Sequence, residues 1–348
     1  MERIMNKMFL TALMLLALPF AANAGGKAIY GGDDRKEYFE VSKERQAQAD
    51  AVVSLWDLSK VSRERSGAFF LSASPLANKI FDREGGTLCA SEPFREQPRG
   101  AECSGTLVGE DLVMTAGHCI NTQQACDEMM IVFDFNVKVR GGTAPSTVPA
   151  SSVYSCKSIV ASRNDSGTRG GTSRDAAPRG GKLDYAIIRL DRKVTGRKPL
   201  PINRKGGLAD GSPLFTIGHP TGLPAKIAGG ASVLNIREGE PSFEANLDTY
   251  AGNSGSGVFN AETGLLEGIL VRGRDDFKKT PEGCYASEVF KLKPQDGGEA
   301  VTRISLVAGF IPELENKRDT PLRPVPVDVR GIKMEIPSDM TLEGLTGR

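Results

Sequence analysis

The sequence predicts an all-β protein of antiparallel barrels or sandwiches, on three observations. Short apolar runs recur between turn signals from Cys103 to Val160 and again from Tyr185 to Val271. Gly-rich stretches punctuate them, and Asn260-Ala261-Glu262-Thr263-Gly264 reads as the turn of a hairpin. Helical periodicity is scarce, with Val301 to Glu315 the one stretch spaced for a helix that packs on the second set of strands.

In chain order, residues 1–24 read as an export signal. Arg3 and Lys7 precede an apolar run from Met8 to Phe20, and Ala22-Asn23-Ala24 has the small-x-small form of a cleavage site. The run is about 13 residues, short of the ~20 that span a bilayer. Residues 25–98 are charged, with strand-like pieces at Ala51 to Leu58 and Ala68 to Leu71, and read as an N-terminal extension supplying early strands. Residues 99–165 form the rest of a first β-unit, including Met130-Ile131-Val132-Phe133 and Val153-Tyr154. From Ala161 to Lys182 Gly, Ser, Arg, Asn and Asp dominate, so 166–182 is expected to be an exposed loop between two lobes. Residues 183–315 carry a second set: Tyr185 to Leu190, Leu214 to Ile217, Ser232 to Ile236, Gly257 to Phe259 and Leu265 to Val271, then the helix. Residues 316–348 are Pro-rich and charged, a loosely held tail.

Without Arg3, Lys7 and Glu2, the chain carries 42 side chains of each sign. That balance argues against a nucleic-acid partner or a charge-driven membrane surface. Six cysteines in an exported chain favour disulfides, and the absence of any C-x-x-C pair weakens a zinc reading. The expected location is secreted or periplasmic, with no stable membrane span once the signal is removed.

The chemistry concentrates in three blocks. Thr115-Ala116-Gly117-His118-Cys119 holds one of only two histidines, Leu183-Asp184-Tyr185-Ala186 offers a carboxylate at a strand entrance, and Gly252-Asn253-Ser254-Gly255-Ser256 offers a hydroxyl among glycines. A serine hydroxyl is a poor nucleophile until an imidazole takes its proton and a buried carboxylate fixes the imidazole's tautomer. The glycines would let the N–H groups of Gly252 and Ser254 converge on one oxyanion. His219, in Gly218-His219-Pro220, has no partner serine in its block and reads as structural. The order excludes an α/β-hydrolase, in which the histidine follows the serine. No His-Glu-x-x-His motif occurs.

Cys103-Ser104-Gly105 with the His118 block, Asp184 to Leu190 and the Ser254 block resemble the signature blocks of the chymotrypsin/trypsin-like serine protease superfamily, and Asn253 resembles the bacterial branch that includes glutamyl endopeptidases. The resemblance implies two antiparallel six-stranded β-barrels with the site in the cleft between them. It also implies a serine endopeptidase acting on peptide or protein substrates with no cofactor or metal. His118 would be the base, Asp184 its orienting acid, Ser254 the nucleophile, and Gly252 and Ser254 the oxyanion hole. Cys103 is expected to pair with Cys119, Cys126 with Cys156, and Cys89 with Cys284.

By the same likeness Asp248, six residues before Ser254, matches the aspartate that gives cleavage after Arg or Lys. Its other reading is a carboxylate that ties the loop's backbone together. Arg272 and Gly273 fall near the expected pocket wall, where Arg272 could neutralise Asp248. Leu270 stands about where glutamyl endopeptidases carry a His, which disfavours cleavage after Glu. Asn253 replaces the Asp of trypsin-like zymogens, and Gly257 replaces a usual Pro, loosening the strand that leaves the nucleophile. Gly257 and the long extension also admit a secreted binding or adhesion module without turnover, and an ester-preferring hydrolase would share the chemistry.

Overall fold

The charged N-terminal region supplies strands to both lobes. β1 (Ile29–Tyr30) and β2 (Arg35–Glu37) precede a short helix, α1 (Lys43–Ala49), and then β3 (Val52–Asp57). The Ser42 hydroxyl starts α1 by accepting from Arg45 N at 3.3 Å. The computed structural model describes residues 29–165, 183–290 and 298–314. The described residues up to Glu313 form one compact unit. The expected signal (1–24), loop (166–182) and tail (316–348) lie outside the described residues.

The first barrel closes with β4 (Cys103–Leu107), β5 (Leu112–Thr115), β6 (Met129–Val132), β7 (Val153–Asn164) and β8 (Asp184–Leu190). Its order is β6-β7-β8-β5-β4-β3, antiparallel throughout, and β3 seals the ring between β4 and β6. Its strands are rich in β-branched and large apolar residues, and Val53, Leu55, Val113, Ile131 and Ile187 are fully buried. A short helix, α2 (Gln123–Asp127), carries Cys126 to Cys156 on β7.

The second barrel consists of β9 (Pro213–Gly218), β10 (Lys226–Ile236), β11 (Ser242–Ala245), β12 (Gly257–Asn260), β13 (Leu266–Arg272) and, beyond β14 (Val289–Phe290), β15 (Glu299–Arg303). The ring runs β9-β12-β13-β15-β11-β10 and closes between β10 and β9, with β2 appended to β10. Two closed six-stranded antiparallel barrels are thus present, as the resemblance of the sequence blocks implies. One apolar cluster runs from Leu55 and Ile188 of the first barrel to Phe215, Ile227 and Phe259 of the second, joining the two barrels.

Two expectations are corrected. The stretch from Val301 is not a helix: Glu299–Arg303 is the strand that fills the gap between β11 and β13, followed by single 3₁₀ turns at Ile304–Leu306 and Ala308–Phe310. The apolar spacing survives because Ile304, Val307 and Ile311 all reach the core, but Val301-Thr302 favour a strand and Gly309 and Pro312 forbid a long helix. Nor does the second lobe begin at 183. β8 belongs to the first barrel, with Asn164 opposite Asp184 across the β7–β8 hairpin. The insertion 166–182 therefore interrupts a hairpin of one barrel. Composition marks a break in periodicity, and pairing alone tells which strands it separates.

The disulfides are Cys103–Cys119, Cys126–Cys156 and Cys89–Cys284. Trp56, the only tryptophan, is fully buried edge-on to Phe135 at 5.0 Å, and its Nε1–H donates to Ser54 Oγ at 2.8 Å. Gly100 lies under its ring, where a Cβ would come 2.2 Å from the indole. Trp56→Ala should cost about 3–5 kcal/mol, read from the urea midpoint; a loss below about 1 kcal/mol would contradict this packing.

Candidate active site

His118 sits on the turn that leaves β5, and two devices fix that turn. At Gly117 a Cβ would come 2.0 Å from Arg163 O and 2.8 Å from Tyr185 O, so only glycine lets the turn lie against β7 and β8. On the other side the Cys103–Cys119 bond ties the turn to β4. Asp184, the first residue of β8, is fully buried. Its Oδ2 lies 2.8 Å from His118 Nδ1, and its Oδ1 accepts the His118 backbone N–H at 3.1 Å. One carboxylate therefore grips both the ring and the main chain of the histidine. A carboxylate can only accept here, so Nδ1 carries the hydrogen and Nε2 is the basic nitrogen. The second barrel holds the aspartate in turn, since Thr302 Oγ1 on β15 donates to Asp184 O at 2.7 Å.

Ser254 lies on the loop before β12, with Gly252 at φ 94° and Gly255 at φ 90°. The loop is seated on the first barrel. Ser104 N donates to Ser254 O at 2.8 Å, Ser104 Oγ donates to Gly252 O at 2.7 Å, and a Cβ on Gly255 would meet Ser104 O at 2.1 Å. Cys119 Sγ, one residue from His118, lies 3.8 Å from Ser254 O. Among the described residues no hydrogen bond joins the Ser254 hydroxyl to His118, and the N–H groups of Gly252 and Ser254 donate to no protein acceptor. Ser256, by contrast, is fully buried and donates to Asn253 Oδ1 at 3.3 Å. Gly257 is paired on both sides, with Ile217 and Ile269, so the strand that follows Ser254 is held without a proline.

The expected pocket residues separate. Asp248 is buried, and its two oxygens accept the backbone N–H groups of Tyr30 (2.9 Å) and Asp34 (2.8 Å). That geometry fits the reading of Asp248 as a backbone tie. Burial raises its carboxyl to about 7. Arg272 brings Nη1 to 3.8 Å from Asp184 Oδ2, adding a cation behind the histidine's acid. The Leu270 side chain belongs to the second barrel's core, while its main chain accepts from Gly255 N at 2.7 Å and donates to Ser256 O at 2.9 Å. Gly273 lies against Glu299, whose Oε2 would be 1.8 Å from a Cβ placed there.

Glu299 itself had no signal in the sequence, standing as one acid in a Gly-rich stretch. It is buried, accepts from Thr249 Oγ1 at 2.9 Å, and is pushed by burial up to about 8. Cys103, His118 and Cys119 place three potential ligand atoms together, but both sulfurs are in the disulfide and offer no thiolate.

His219 is buried behind the site, with Nδ1–H donating to Leu223 O at 2.9 Å and its backbone N–H donating to Ser104 Oγ at 2.9 Å. Burial pulls its imidazole down to about 4. A histidine in the unfolded chain protonates near 6.5. Between those values the native state binds fewer protons than the unfolded one, so this contribution is whole above pH ~6.5 and is lost as pH falls toward ~4. His219→Gln should flatten the decline of the thermal midpoint across that window; an unaltered slope would refute it.

Residues 103–269 match the trypsin-like peptidase domain. A probable serine protease of Lysobacter enzymogenes is 28% identical over 133 residues, 37% of this chain and 21% of that protein, so the chain spans about a fifth of that relative's length. Among solved structures, a Glu endopeptidase in complex with MPD (15% identity, 80% of this chain and 95% of that one, TM-score 0.42) and the VesB protease of Vibrio cholerae (13%, 80% and 65%, TM-score 0.43) are similar. Residues 103–269 of this chain thus carry a trypsin-like peptidase domain.

Proposed function

We propose that this protein is an exported serine endopeptidase that cleaves peptide or protein substrates through an acyl-enzyme. The observation that carries the reading is the double grip of Asp184 on His118, which leaves Nε2 basic on the side away from the carboxylate. Ser254 is the nucleophile in this reading: its backbone is held against Ser104 and against Cys119, the residue that follows the histidine. Serine–histidine bonds in unliganded enzymes are often long and tighten when substrate binds.

As Ser254 Oγ attacks the scissile carbonyl, His118 Nε2 takes its proton, and Asp184 stabilises the imidazolium that forms. The undonated N–H groups of Gly252 and Ser254 receive the oxyanion. His118 then passes the proton to the leaving amine, and a water molecule repeats the sequence in reverse to release the acyl group. The three disulfides suit the oxidising setting of a secreted or periplasmic protein. By the likeness of its sequence blocks to trypsin, the residue preceding the cut would be Arg or Lys.

Ser254→Ala should abolish labelling by a fluorophosphonate probe and lower peptide hydrolysis by about 10³-fold or more. Asp184→Asn, which reverses the preferred tautomer, should retain the fold and lose activity on a similar scale. Full turnover by the alanine variant would eliminate the mechanism, and wild-type protein that neither labels nor cleaves would favour a binding module on the same scaffold.

A further inference from the structure

Asp248 and Glu299 are two buried carboxylates that the acyl-transfer chemistry does not use, and they differ in what they have left to offer. Both oxygens of Asp248 are committed to the main chain of the N-terminal segment, at Tyr30 and Asp34. Glu299 accepts one firm bond, from Thr249 Oγ1 to Oε2 at 2.9 Å. Among the described residues its Oε1 is reached by two longer contacts, from the Tyr30 hydroxyl and from Arg274 N, each at 3.3 Å. A carboxylate has about four acceptor positions, so Glu299 keeps capacity in reserve.

Its position is also the relevant one. The carboxylate leans into the space that Gly273 leaves by having no side chain. Thr249 lies on the segment that leads to Ser254, and Gly273 directly follows Arg272, whose guanidinium stands by Asp184. The acid is thus bracketed by the two segments that run to the nucleophile and to the histidine's partner.

On the peptidase reading above, we propose that Glu299, rather than Asp248, is the acid that receives the cationic side chain of an arginine or lysine at P1. A guanidinium or ammonium there supplies a countercharge that no described residue gives the buried carboxylate, and charge-assisted bonds displace the long contact with the neutral Tyr30 hydroxyl. A neutral side chain of the same shape would leave the acid without that partner.

The test uses the full chain as exported, with peptide substrates identical except for Arg, its neutral isostere citrulline, or Leu at P1. Fluorophosphonate labelling runs in parallel as the measure of an intact Ser254. Wild type should prefer Arg over citrulline by about 100-fold in kcat/KM. Glu299→Gln should bring that ratio within about threefold of unity in protein whose Ser254 still labels, and Glu299→Asp should restore part of it. Benzamidine should slow labelling of the wild-type protein and neutral benzamide should not, which tests the cation subsite without any substitution. Retained Arg preference in a normally labelled Glu299→Gln variant, or no Arg preference in a labelled wild type, overturns this assignment and leaves the peptidase reading intact. Wild type that resists labelling overturns both.

Discussion

Asp184 is the point where the two barrels meet the candidate site. It opens β8, so its backbone is fixed by strand pairing in the first barrel, and its carbonyl accepts from Thr302 of the second. Its carboxylate is fully buried and holds His118 by the ring and by the main chain. A buried anion is costly unless several donors satisfy it, and those two N–H groups with the nearby Arg272 guanidinium meet that demand. The histidine's orientation is thus secured by the need to compensate a desolvated charge.

Close backbone approach makes this arrangement possible. At Gly117 and Gly255 main-chain atoms of neighbouring segments stand within about 2 Å of where a Cβ would be. The first contact presses the histidine turn onto β7 and β8; the second presses the serine loop onto β4 and β5. The Cys103–Cys119 bond then links the turn to β4, on which Ser104 also bonds the serine loop through its amide and hydroxyl. His118 and Ser254 are therefore referenced to one strand, although 136 positions separate them in the chain.

The N-terminal segment does more than add strands. β1 pairs in parallel with β14, β2 extends the second barrel, and Tyr30 and Asp34 occupy the Asp248 carboxylate. Arg35 lies buried over the faces of Tyr250 and Phe94 at 4.2 and 5.2 Å, paired with Asp33. Lys226 of β10 pairs with Glu37 of β2 at 3.0 Å. These contacts brace the wall that leads to Ser254, and pairs so deeply buried serve register more than net stability.

Much was legible in the sequence because the local signals have local causes. Alternating apolar runs dictate strands, the glycines around His118 and Ser254 mark backbone that must bend or approach closely, and an imidazole, a carboxylate and a hydroxyl are the groups that activate a nucleophile. What the sequence by itself determined is therefore the all-β class and the candidate groups for the chemistry, with the two-barrel plan implied by the resemblance of its motif blocks. The tertiary structure decided what depends on partners distant in the chain. Strand pairing assigned β8 to the first barrel and turned a helix-spaced stretch into the sixth strand of the second. Burial separated two carboxylates that composition cannot distinguish: Asp248 spends both oxygens on the N-terminal main chain, while Glu299, unmarked in sequence, comes to rest against Gly273. A side chain's type is local, but its donors and its distance from water are set only by the packed fold.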